Sequence, residues 1–335
     1  MIYDASSFVA FKDFSDKYHY LKEQFFWALI GFCVLFFLSI FNYKKLYNFA
    51  LPVLLLALVL LVLVFIPGLG VGVMGARRWI DLGFTVVQPS EFVKLALAIY
   101  LAAWFSSKEK ERLLAFLLLL AIILFLVILE PDMGTTFIIL GEGLVIYFLS
   151  GARLFYFIFL VPLIAFLGIF LIKISAYRTQ RFAAFLNLNQ DLENYSYHVK
   201  QILIALGSGG LTGVGIGNSL QKYAYLPENT TDSIFAIIGE EIGFLGALLI
   251  IALFVLLIYI GFFIAMNTKD VFGRLLAGGI TAFLGLQVFI NLAAQTALLP
   301  LTGVPLPFIS YGGSALILNL AAVGILINIA KQNVR

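Results

Sequence analysis

The sequence predicts an all-α polytopic membrane protein whose residues 1–335 form a single integral-membrane domain. Hydrophobic residues make up 62% of the chain and charged residues only 12%, whereas the apolar share of a soluble domain is about half. The apolar residues also collect in runs long enough to cross the roughly 30 Å of hydrocarbon in a bilayer. Composition and run length together exclude a soluble globular protein.

Nine of these apolar runs are predicted to be membrane-spanning helices. Several are shorter than the roughly 20 residues of a typical span and borrow residues from their flanks. The predicted spans are residues 24–41, 48–66, 90–105, 113–129, 134–150, 154–173, 239–266, 275–298 and 312–330. The apolar run that begins at Ser233 is too long for one untilted crossing. Gly239, Gly243 and Gly246 therefore predict a short half-buried helix ahead of the true span.

The short loops predict the orientation of the chain. Lysine and arginine are dense in the short connections on one side of the predicted spans, and the positive-inside rule makes that side the cytoplasm. The C-terminus is therefore predicted to be cytoplasmic and the N-terminus to lie outside. The basic residues concerned are Lys44, Lys45, Lys108, Lys110, Arg112, Arg153, Lys269, Arg274, Lys331 and Arg335.

Residue types exclude several other classes of site. The formal net charge of +3 is small and spread along the chain, so no nucleic-acid partner is predicted. The single cysteine, Cys33, excludes an internal disulfide framework. His19 and His198 lie far apart and lack partners at ligand spacing, so no structural metal site is predicted. The charged stretch before the first span argues against a cleavable signal sequence.

The third predicted span opens with an unusual polar sequence, Gln-Pro-Ser-Glu-Phe-Val-Lys at 88–94. Pro89 suits the first helical position, and Glu91 could close a capping box on Gln88. Lys94 then lies one turn inside the membrane, where a lysine commonly snorkels, returning its ammonium to the headgroups. The residues alone favour snorkelling over a binding role for Lys94.

Two further outer connections carry charged residues with two interpretations each. Arg77 and Arg78 stand beside Trp79 and could form an interfacial anchor as readily as a binding site. Glu130 and Asp132, in Glu-Pro-Asp-Met-Gly-Thr, lie at the outer boundary, where a plain turn explains them about as well as a site does. The residue types alone decide neither case.

The longest stretch outside the predicted spans, about residues 174–232, is predicted to be an ordered extracytoplasmic loop. Apolar and aromatic residues recur in it at helical spacing, which predicts at least two amphipathic helices on the membrane surface. The glycine-rich segment 207–218 lacks the ending of a phosphate loop, so we expect its backbone to lie close to a ligand or a neighbouring helix. Residues 299–314 contain three prolines and are predicted to be non-helical backbone, covered by protein or lining a cavity.

The polar residues at the start of the seventh predicted span also have two interpretations. Asp232, Glu240 and Glu241 lie close together beside the membrane, where charged residues are expensive and are a functional-site hypothesis by default. Thr-Thr-Asp before an apolar run is equally typical of a helix N-terminus, where a carboxylate caps N–H groups. The residues alone favour the cap.

A series of motifs runs along nearly the whole chain in a fixed order. They are Gly-Ala-Arg-Arg-Trp with Gln-Pro-Ser-Glu-Phe-Val-Lys, Glu-Pro-Asp-Met-Gly-Thr, Gly-Ser-Gly-Gly-Leu-Thr-Gly, Leu-Pro-Glu followed by Thr-Asp-x-Ile-Phe-Ala and Glu-Glu-Ile-Gly, and Leu-Pro-Phe-Ile-Ser-Tyr-Gly-Gly-Ser. This series resembles the SEDS family (shape, elongation, division and sporulation). The resemblance implies a SEDS-type helical bundle and a bacterial inner-membrane peptidoglycan glycosyltransferase of the FtsW and RodA type. Gly-Asn-Ser-Leu-Gln-Lys at 217–222 is somewhat closer to the division type, FtsW.

The resemblance also implies a reaction and roles for particular residues. The 4-hydroxyl of GlcNAc in lipid II attacks C1 of MurNAc at the reducing end of a nascent glycan strand, and undecaprenyl pyrophosphate leaves with inversion. Asp232 occupies the position of the family's catalytic aspartate and would act as the base. The implied substrate-binding residues are Arg77, Arg78, Glu91, Lys94, Asp132 and Glu228. A divalent cation, Mg²⁺ or Mn²⁺, could share the diphosphate, and the sequence leaves this open.

The family works together with a class B penicillin-binding protein. That transpeptidase, lipid II, the nascent glycan strand and membrane lipid are therefore the implied partners. Three features depart from the family pattern. Ten spans are usual, and the first helix is expected to be missing ahead of residues 1–7; Val86 stands where a basic residue is common; Thr230 replaces a histidine.

Two alternatives to a glycosyltransferase stay open, a lipid II flippase and a non-catalytic scaffold of the cell-wall synthesis complex. A flippase needs a polar path across the full bilayer, whereas the charged residues here cluster toward the outer side. No internal inverted repeat of the transporter kind is visible. A scaffold would tolerate the loss of Asp232.

Overall fold

The computed structural model describes residues 2–73, 76–81, 83, 85–107, 113–186, 195–222, 226 and 230–333. Its helices, numbered in chain order, are α1 (Ile2–Phe14), α2 (His19–Ile40), α3 (Leu46–Leu63), α4 (Pro89–Ser106), α5 (Leu113–Leu129), α6 (Met133–Leu149), α7 (Leu154–Ile174), α8 (Ala176–Leu186), α9 (Tyr195–Ser208), α10 (Ile234–Asn267), α11 (Val271–Gln295) and α12 (Gly313–Asn333). A short 3₁₀-helix, Tyr43–Lys45, precedes α3. Three short strands lie between α3 and α4: β1 (Gly70–Val73), β2 (Ala76–Asp81) and β3 (Val86–Val87).

Each predicted span corresponds to a helix of the structure, namely α2 to α7 and α10 to α12. Within the described residues, six helical segments are long and apolar enough to cross a membrane: α2, the 3₁₀-helix with α3, α7, α10, α11 and α12. The other three are shorter or more polar. Helix α4 has 18 residues but includes Glu91 and Lys94, and α5 and α6 are apolar helices of 17 residues each. The predicted all-α polytopic membrane fold is confirmed.

The connection between α3 and α4 contains a small antiparallel sheet that the sequence analysis did not predict. β1 pairs with β2 and β2 with β3, so that Gly70 lies opposite Ile80 and Ile80 opposite Val87. β3 has only two residues, and β2, Ala-Arg-Arg-Trp-Ile-Asp, does not alternate apolar with polar side chains, so periodicity did not indicate a strand there. The sheet matters for the site because Arg77 and Arg78 lie on β2.

The chain divides into two compact units. The first comprises residues 1–22, 152–253 and 288–311, and the second comprises residues 23–151, 254–287 and 312–335. In the first unit, α1 packs on α9 and on the beginning of α10 through a buried apolar cluster. The cluster consists of Ala5, Ile202, Ala205, Leu226, Ile234, Ala236, Ile237 and Ile238. The two helices predicted for the long outer stretch are present as α8 and α9.

Helix α10 is broken at Gly243, where the backbone takes φ 69° and ψ −171°. The half-helix before the break, residues 234–242, carries Glu240 and Glu241 and is the short buried helix that the sequence predicted. The glycine-rich segment packs directly on the break, because a Cβ added to Gly213 or to Gly243 would collide with the backbone of the opposite segment. Glycine is therefore required at both positions, and the expected close backbone approach is made to a neighbouring helix.

The second unit is organised around α4, which is buried along most of its length. Small residues allow the neighbouring helices to approach one another. In α11, Gly278 lies against Leu149 of α6 and Gly279 lies against Ile146 of the same helix. Because α4 is enclosed by protein, any polar side chain on it must find its partners inside the unit.

Candidate active site

Asp232 lies two residues before the first residue of α10, Ile234. Its main-chain oxygen accepts a hydrogen bond from Nδ2 of Asn291 at 3.0 Å and another from Nε2 of Gln295 at 2.8 Å. The Oε1 atom of Gln295 accepts from the backbone N–H of Ala236 at 2.8 Å. The same N–H also donates to the carbonyl of Ser233 at 3.0 Å. Gln295 therefore joins Asp232 to the first turn of α10, where N–H groups lack the usual intrahelical partner four residues earlier.

The two amides on α11 support one another. Asn291 and Gln295 are four residues apart and so lie on one face of the helix. Nε2 of Gln295 donates to Oδ1 of Asn291 at 2.7 Å, and Nδ2 of Asn291 also donates to the carbonyl of Val304 at 2.7 Å. The pair connects the Asp232 peptide with the proline-containing segment that follows α11.

The proline-containing segment is non-helical over residues 299–312, as predicted, whereas residues 313 and 314, which were also predicted to be non-helical, begin α12. The hydroxyl of Ser310 donates to the carbonyl of Thr231 at 2.6 Å and accepts from the backbone N–H of Leu306 at 2.8 Å. The backbone N–H of Tyr311 donates to the carbonyl of Thr230 at 2.9 Å. The main chain of residues 230–232 is thus held by α11 and by the proline-containing segment, while the Asp232 side chain is only half-buried.

A fourth element reaches the same place. Nε2 of His198, on α9, lies 2.8 Å from the hydroxyl of Ser233, and Ser233 is fully buried. The residue that precedes α10 is therefore attached to α9. Glu228, predicted to neighbour Asp232 in the site, lies outside the described residues.

Lys94 is enclosed inside the second unit. Its ammonium lies 2.7 Å from Oε1 of Glu91 and 2.6 Å from Oε1 of Gln287, and the side chain is 1% exposed. The ring of Phe283 faces the ammonium at 5.9 Å. The interpretation of Lys94 as a snorkelling lysine is therefore wrong, because its charged end is paired within protein. The capping box is also absent, since Gln88 is the N-cap residue of α4 without a side-chain capping hydrogen bond.

A second carboxyl group lies near this pair. Glu142, on α6, is fully buried, and neither of its side-chain oxygens has a hydrogen-bond partner among the described residues. The positive charge of Lys94 acts on the Glu142 carboxyl. No role was predicted for Glu142, although a glutamate inside an apolar span is itself a signal of function.

Arg78 is anchored on main-chain carbonyls. Its Nε donates to the carbonyl of Glu130 at 3.0 Å, and its Nη2 donates to the carbonyl of Pro131 at 2.5 Å. Arg77, the preceding residue on β2, is exposed. Neutral carbonyl acceptors therefore orient the guanidinium of Arg78. They carry no charge that would compensate its positive charge.

The Glu130 carboxyl is fully buried, and neither of its oxygens has a partner in the described part of the chain. Burial raises the pKa of Glu130 to about 9, with the nearby Asp132 adding to the shift and Arg78 opposing it. Glu130 is therefore protonated at neutral pH and does not cancel the charge of Arg78.

Asp132 is the N-cap residue of α6. Its Oδ1 accepts from the backbone N–H of Thr135 at 2.9 Å, and its Oδ2 accepts from the Thr135 hydroxyl at 2.8 Å and from Nε2 of Gln88 at 3.3 Å. The turn interpretation of Asp132 is thus supported by geometry. Its implied substrate contact stays a prediction.

The predicted site residues fall into separate groups. Arg78 binds carbonyls of the turn that ends at Asp132, and Glu91 pairs with Lys94 on α4. All four belong to the second unit, whereas Asp232 belongs to the first. Within the described ranges, no three His, Cys, Asp or Glu side chains are grouped so that they could hold a metal ion.

Three side chains hold the main chain around Asp232: those of Asn291, Gln295 and Ser310. No role was predicted for them from the sequence. A signal for the first two was available, because an Asn and a Gln four residues apart in an apolar span form a polar stripe that must find partners. Ser310 carried no comparable signal, since it lies in a polar turn where serine is common.

Known proteins of similar sequence cover almost the whole chain. Stage V sporulation protein E of Bacillus subtilis is 40% identical over 99% of this chain and 93% of its own length. The probable peptidoglycan glycosyltransferase FtsW of Geobacter metallireducens is 40% identical over 99% of this chain and 90% of its own. That of Trichlorobacter lovleyi is 41% identical over 98% and 88%.

Two solved structures have the same fold. One chain of a peptidoglycan synthase complex that coordinates polymerization and crosslinking superposes with a TM-score of 0.79, is 27% identical, and is matched over 99% of this chain and 95% of that one. The rod shape determining protein RodA of Thermus thermophilus gives a TM-score of 0.71 at 28% identity, over 99% and 94%. The family model of the FtsW, RodA and SpoVE cell cycle proteins matches residues 1–335. The chain therefore belongs to the FtsW, RodA and SpoVE family of cell cycle proteins, which confirms the resemblance to SEDS proteins.

Proposed function

We propose that this chain is a peptidoglycan glycosyltransferase that polymerises lipid II into glycan strands, with Asp232 as its catalytic base. Relatives at 40–41% identity over nearly the whole chain are probable peptidoglycan glycosyltransferases, which supports the enzyme class. The observation that carries the residue assignment is the support of the Asp232 main chain. Four hydrogen bonds from α11 and the proline-containing segment end on the carbonyls of Thr230, Thr231 and Asp232.

The proposed reaction forms a bond between O4 of an acceptor GlcNAc and C1 of the donor MurNAc. The bond from C1 to the diphosphate oxygen breaks, undecaprenyl pyrophosphate leaves, and the configuration at C1 inverts. The proton of the 4-hydroxyl passes to the Asp232 carboxylate. A base acts only within about 3 Å of the proton it removes. Fixing the main chain of Asp232 restricts the positions its carboxylate can take relative to the acceptor hydroxyl, which favours a reactive geometry.

The leaving diphosphate requires positive charge. We assign this role first to Arg78, because neutral carbonyls orient its guanidinium and the protonated Glu130 leaves its charge in place. Arg77, exposed on the same strand, is a second candidate. Lys94 would have to exchange Glu91 or Gln287 for the diphosphate, so we propose that the Lys94–Glu91 pair contributes mainly through its field and by fixing α4. Asp132 and Glu228 remain candidates for orienting sugar.

We propose that a divalent cation is bound mainly by the diphosphate of the substrate and not by a cluster of protein ligands. Mg²⁺ commonly binds through one or two carboxylates together with substrate phosphates, so it does not need three grouped protein ligands. The described residues contain no such group. We expect polymerisation to depend on Mg²⁺ or Mn²⁺. We also expect the protein alone to bind the cation weakly, and to bind it more tightly when diphosphate-bearing substrate is present. Calorimetric titration with and without substrate tests this assignment.

The proposal includes a location and a partner. We place this multi-pass protein in the bacterial cytoplasmic membrane, with Asp232 on the extracytoplasmic face and the C-terminus in the cytoplasm. Basic residues in the short loops support this orientation. We propose a class B penicillin-binding protein as partner, since a polymerase needs a separate enzyme to crosslink its product. The structural similarity to a chain of a polymerising and crosslinking synthase complex is consistent with this.

The proposal is tested with purified protein in lipid vesicles, lipid II and the partner. Glycan strands longer than the substrate are expected from wild type and are expected to be absent with Asp232→Asn, while Asp13→Asn, an exposed aspartate, serves as the matched control. Transfer of lipid II across the vesicle membrane without polymerisation would assign the chain to a flippase. If neither activity appears although the partner is bound and active, the chain is a scaffold.

A further inference from the structure

The glycine-rich segment 207–218, together with the residues on either side of it, has an unusual composition for an extracytoplasmic loop. From residue 201 to residue 221, the chain contains no Asp, Glu, Lys or Arg. This uncharged stretch lies inside the region 174–232 that hydropathy assigns to the outside of the membrane. Loops in water are normally rich in polar side chains, so the composition is closer to that of a membrane segment.

The large side chains of this segment point outward. Leu211 is 70% exposed, Ile216 is 73% exposed and Leu220 is 68% exposed. On the spanning part of α10, which is long and apolar enough to cross a bilayer, Leu249 is 62% and Leu253 is 57% exposed. The segment therefore exposes leucine and isoleucine to the same extent as a helix that faces lipid.

Four polar main-chain groups of the segment are paired with α10. The break at Gly243 deprives two carbonyls before it and two N–H groups after it of their intrahelical partners. The glycine-rich segment supplies replacements: Val214 N–H to Glu240 C=O at 3.0 Å, Gly215 N–H to Glu241 C=O at 3.0 Å, Phe244 N–H to Gly210 C=O at 2.9 Å and Leu245 N–H to Leu211 C=O at 3.1 Å. Irregular backbone can lie at membrane depth only when its polar groups are satisfied in this way.

The same hydrogen bonds join the exposed side chains of the segment to the lipid-facing surface of α10. Leu211 is bonded through its carbonyl to Leu245, and both Phe244 and Leu245 are more than half exposed, at 58% and 59%. The apolar surface of the segment is therefore continuous with that of the spanning helix.

Two polar side chains of this region are enclosed. Ser219 is fully buried and its hydroxyl donates to Oε2 of Glu240. The ammonium of Lys222, also buried, lies 2.8 Å from Oδ1 of Asp4 and 3.3 Å from Oε1 of Glu241.

Three other polar side chains, those of Ser208, Thr212 and Asn218, are exposed beside the apolar ones. The Ser208 hydroxyl donates to the carbonyl of Ala205 at 2.9 Å, and Nδ2 of Asn218 donates to the carbonyl of Val214 at 3.2 Å. Two of the three exposed polar side chains therefore have main-chain partners, and the large exposed side chains of the segment are apolar.

We propose that residues 207–221 form a re-entrant membrane element whose exposed apolar face contacts the acyl chains of bilayer phospholipids. Continuity with α10 identifies the lipid as the occupant. The glycines permit the close backbone contact with the break in α10, and the outward Leu and Ile side chains anchor the segment in hydrocarbon. This inference is independent of the catalytic assignment, because it concerns where the segment lies and not what Asp232 does.

The test uses the full chain in phosphatidylcholine nanodiscs. Cys33 is first replaced by alanine, and single cysteines carrying an NBD fluorophore are placed at Ile216 and Leu211. Leu249→Cys, on the spanning part of α10, is the lipid reference, and Lys269→Cys, in the exposed connection before α11, is the water reference. Quenching is measured with phospholipids that carry a nitroxide on the acyl chain and, separately, with aqueous iodide.

Positions 216 and 211 are expected to lose fluorescence to the acyl nitroxide as strongly as position 249 does, and to lose little to iodide. Iodide quenching equal to that at position 269 would overturn the inference. Protection from both quenchers would mean that protein covers the face, which also overturns it. Iodide quenching that disappears when a class B penicillin-binding protein is added would assign the face to a protein partner instead.

Discussion

Asp232 and Lys94 are both ionisable residues near the beginning of a helix in a membrane protein, yet they are fixed in opposite ways. At Asp232, hydrogen bonds from α11 and the proline-containing segment hold the main chain of residues 230–232, and the side chain is half-buried. The bonds at Lys94 end on the ammonium itself, which pairs with Glu91 and Gln287 at 1% exposure.

This difference separates two uses of charge. Holding the main chain positions a carboxylate without pairing it to a buried cation, which suits a base. Pairing the charged end satisfies a costly buried ion and resists exchange with a ligand, which suits structural support and a steady electrostatic field. Activity and stability should therefore respond differently when the two residues are changed.

The largest expected effect is on activity at Asp232. Asp232→Asn should reduce polymerisation by roughly two to four orders of magnitude, the range for acid–base catalysis, because an amide cannot take the hydroxyl proton. Stability should stay close to wild type, because Asn keeps the shape of Asp and the hydrogen bonds to the main chain of residue 232 are retained. Asp232→Glu keeps the carboxylate but moves it by about 1 Å, which can cost about a hundredfold. Polymerisation by purified Asp232→Asn within a few-fold of wild type would show that Asp232 is not the base.

The next largest effect is expected at the buried Lys94–Glu91 pair, where a substitution should lower both activity and stability. Lys94→Met leaves Glu91 buried without its ion partner, which typically costs about 3–5 kcal/mol. Turnover should fall by roughly a hundredfold, the scale for removing one electrostatic stabiliser. Thermal midpoints measured in detergent should show that Lys94→Met is clearly less stable than wild type, whereas Asp232→Asn is not. The matched control is Lys94→Met with Glu91→Gln, which removes both charges and should recover much of the stability. A single variant as stable as wild type would contradict the enclosed pair.

A smaller effect is expected from the amide that supports Asp232. Gln295→Leu removes the donor to the Asp232 carbonyl and the acceptor for the Ala236 N–H. Turnover should fall by roughly tenfold to a hundredfold, because small displacements of a catalytic group are costly. The Michaelis constant for lipid II should change little, since Gln295 is not assigned to substrate binding. Thr296→Val, one residue away, is the control, and equal losses in both variants would point to general damage to α11.

The spans and the broken helix could be predicted from the sequence because their causes are local. Apolar run length indicated the helices, and the glycines within an overlong run indicated the break at Gly243. The position of Asp232 was also accessible, because the resemblance lies in a contiguous motif.

The partners of these residues could not be predicted, because they are distant in sequence. Asn291 reaches the Asp232 carbonyl across 59 residues, and Gln287 reaches Lys94 across 193 residues. For Lys94 the local pattern was also misleading. A lysine one turn into an apolar helix snorkels when the helix faces lipid, but α4 is enclosed by protein on nearly all sides. Only the tertiary packing distinguishes the two cases.

The smallest expected effect on activity tests whether the acid beside Arg78 is neutral. The folded-state pKa of Glu130 is about 9, above the ordinary value for a glutamic acid. Between the ordinary pKa of about 4.3 and the folded pKa of about 9, the unfolded chain loses this proton while the folded chain keeps it. The free energy of unfolding therefore falls as pH rises through that window, and it is unaffected by Glu130 below the window.

Glu130→Gln removes the ionisable group while retaining its shape. The thermal midpoint of the variant should exceed that of wild type near neutral pH, and the two should converge as the pH falls toward about 4. The Michaelis constant for lipid II at neutral pH should change by less than a few-fold, because a neutral group replaces a neutral group beside Arg78. Asp13→Asn, at an exposed aspartate, should leave the pH profile of stability unchanged. If Glu130→Gln instead leaves that profile unaltered and tightens lipid II binding, Glu130 is ionised and Arg78 is already compensated in the wild-type protein.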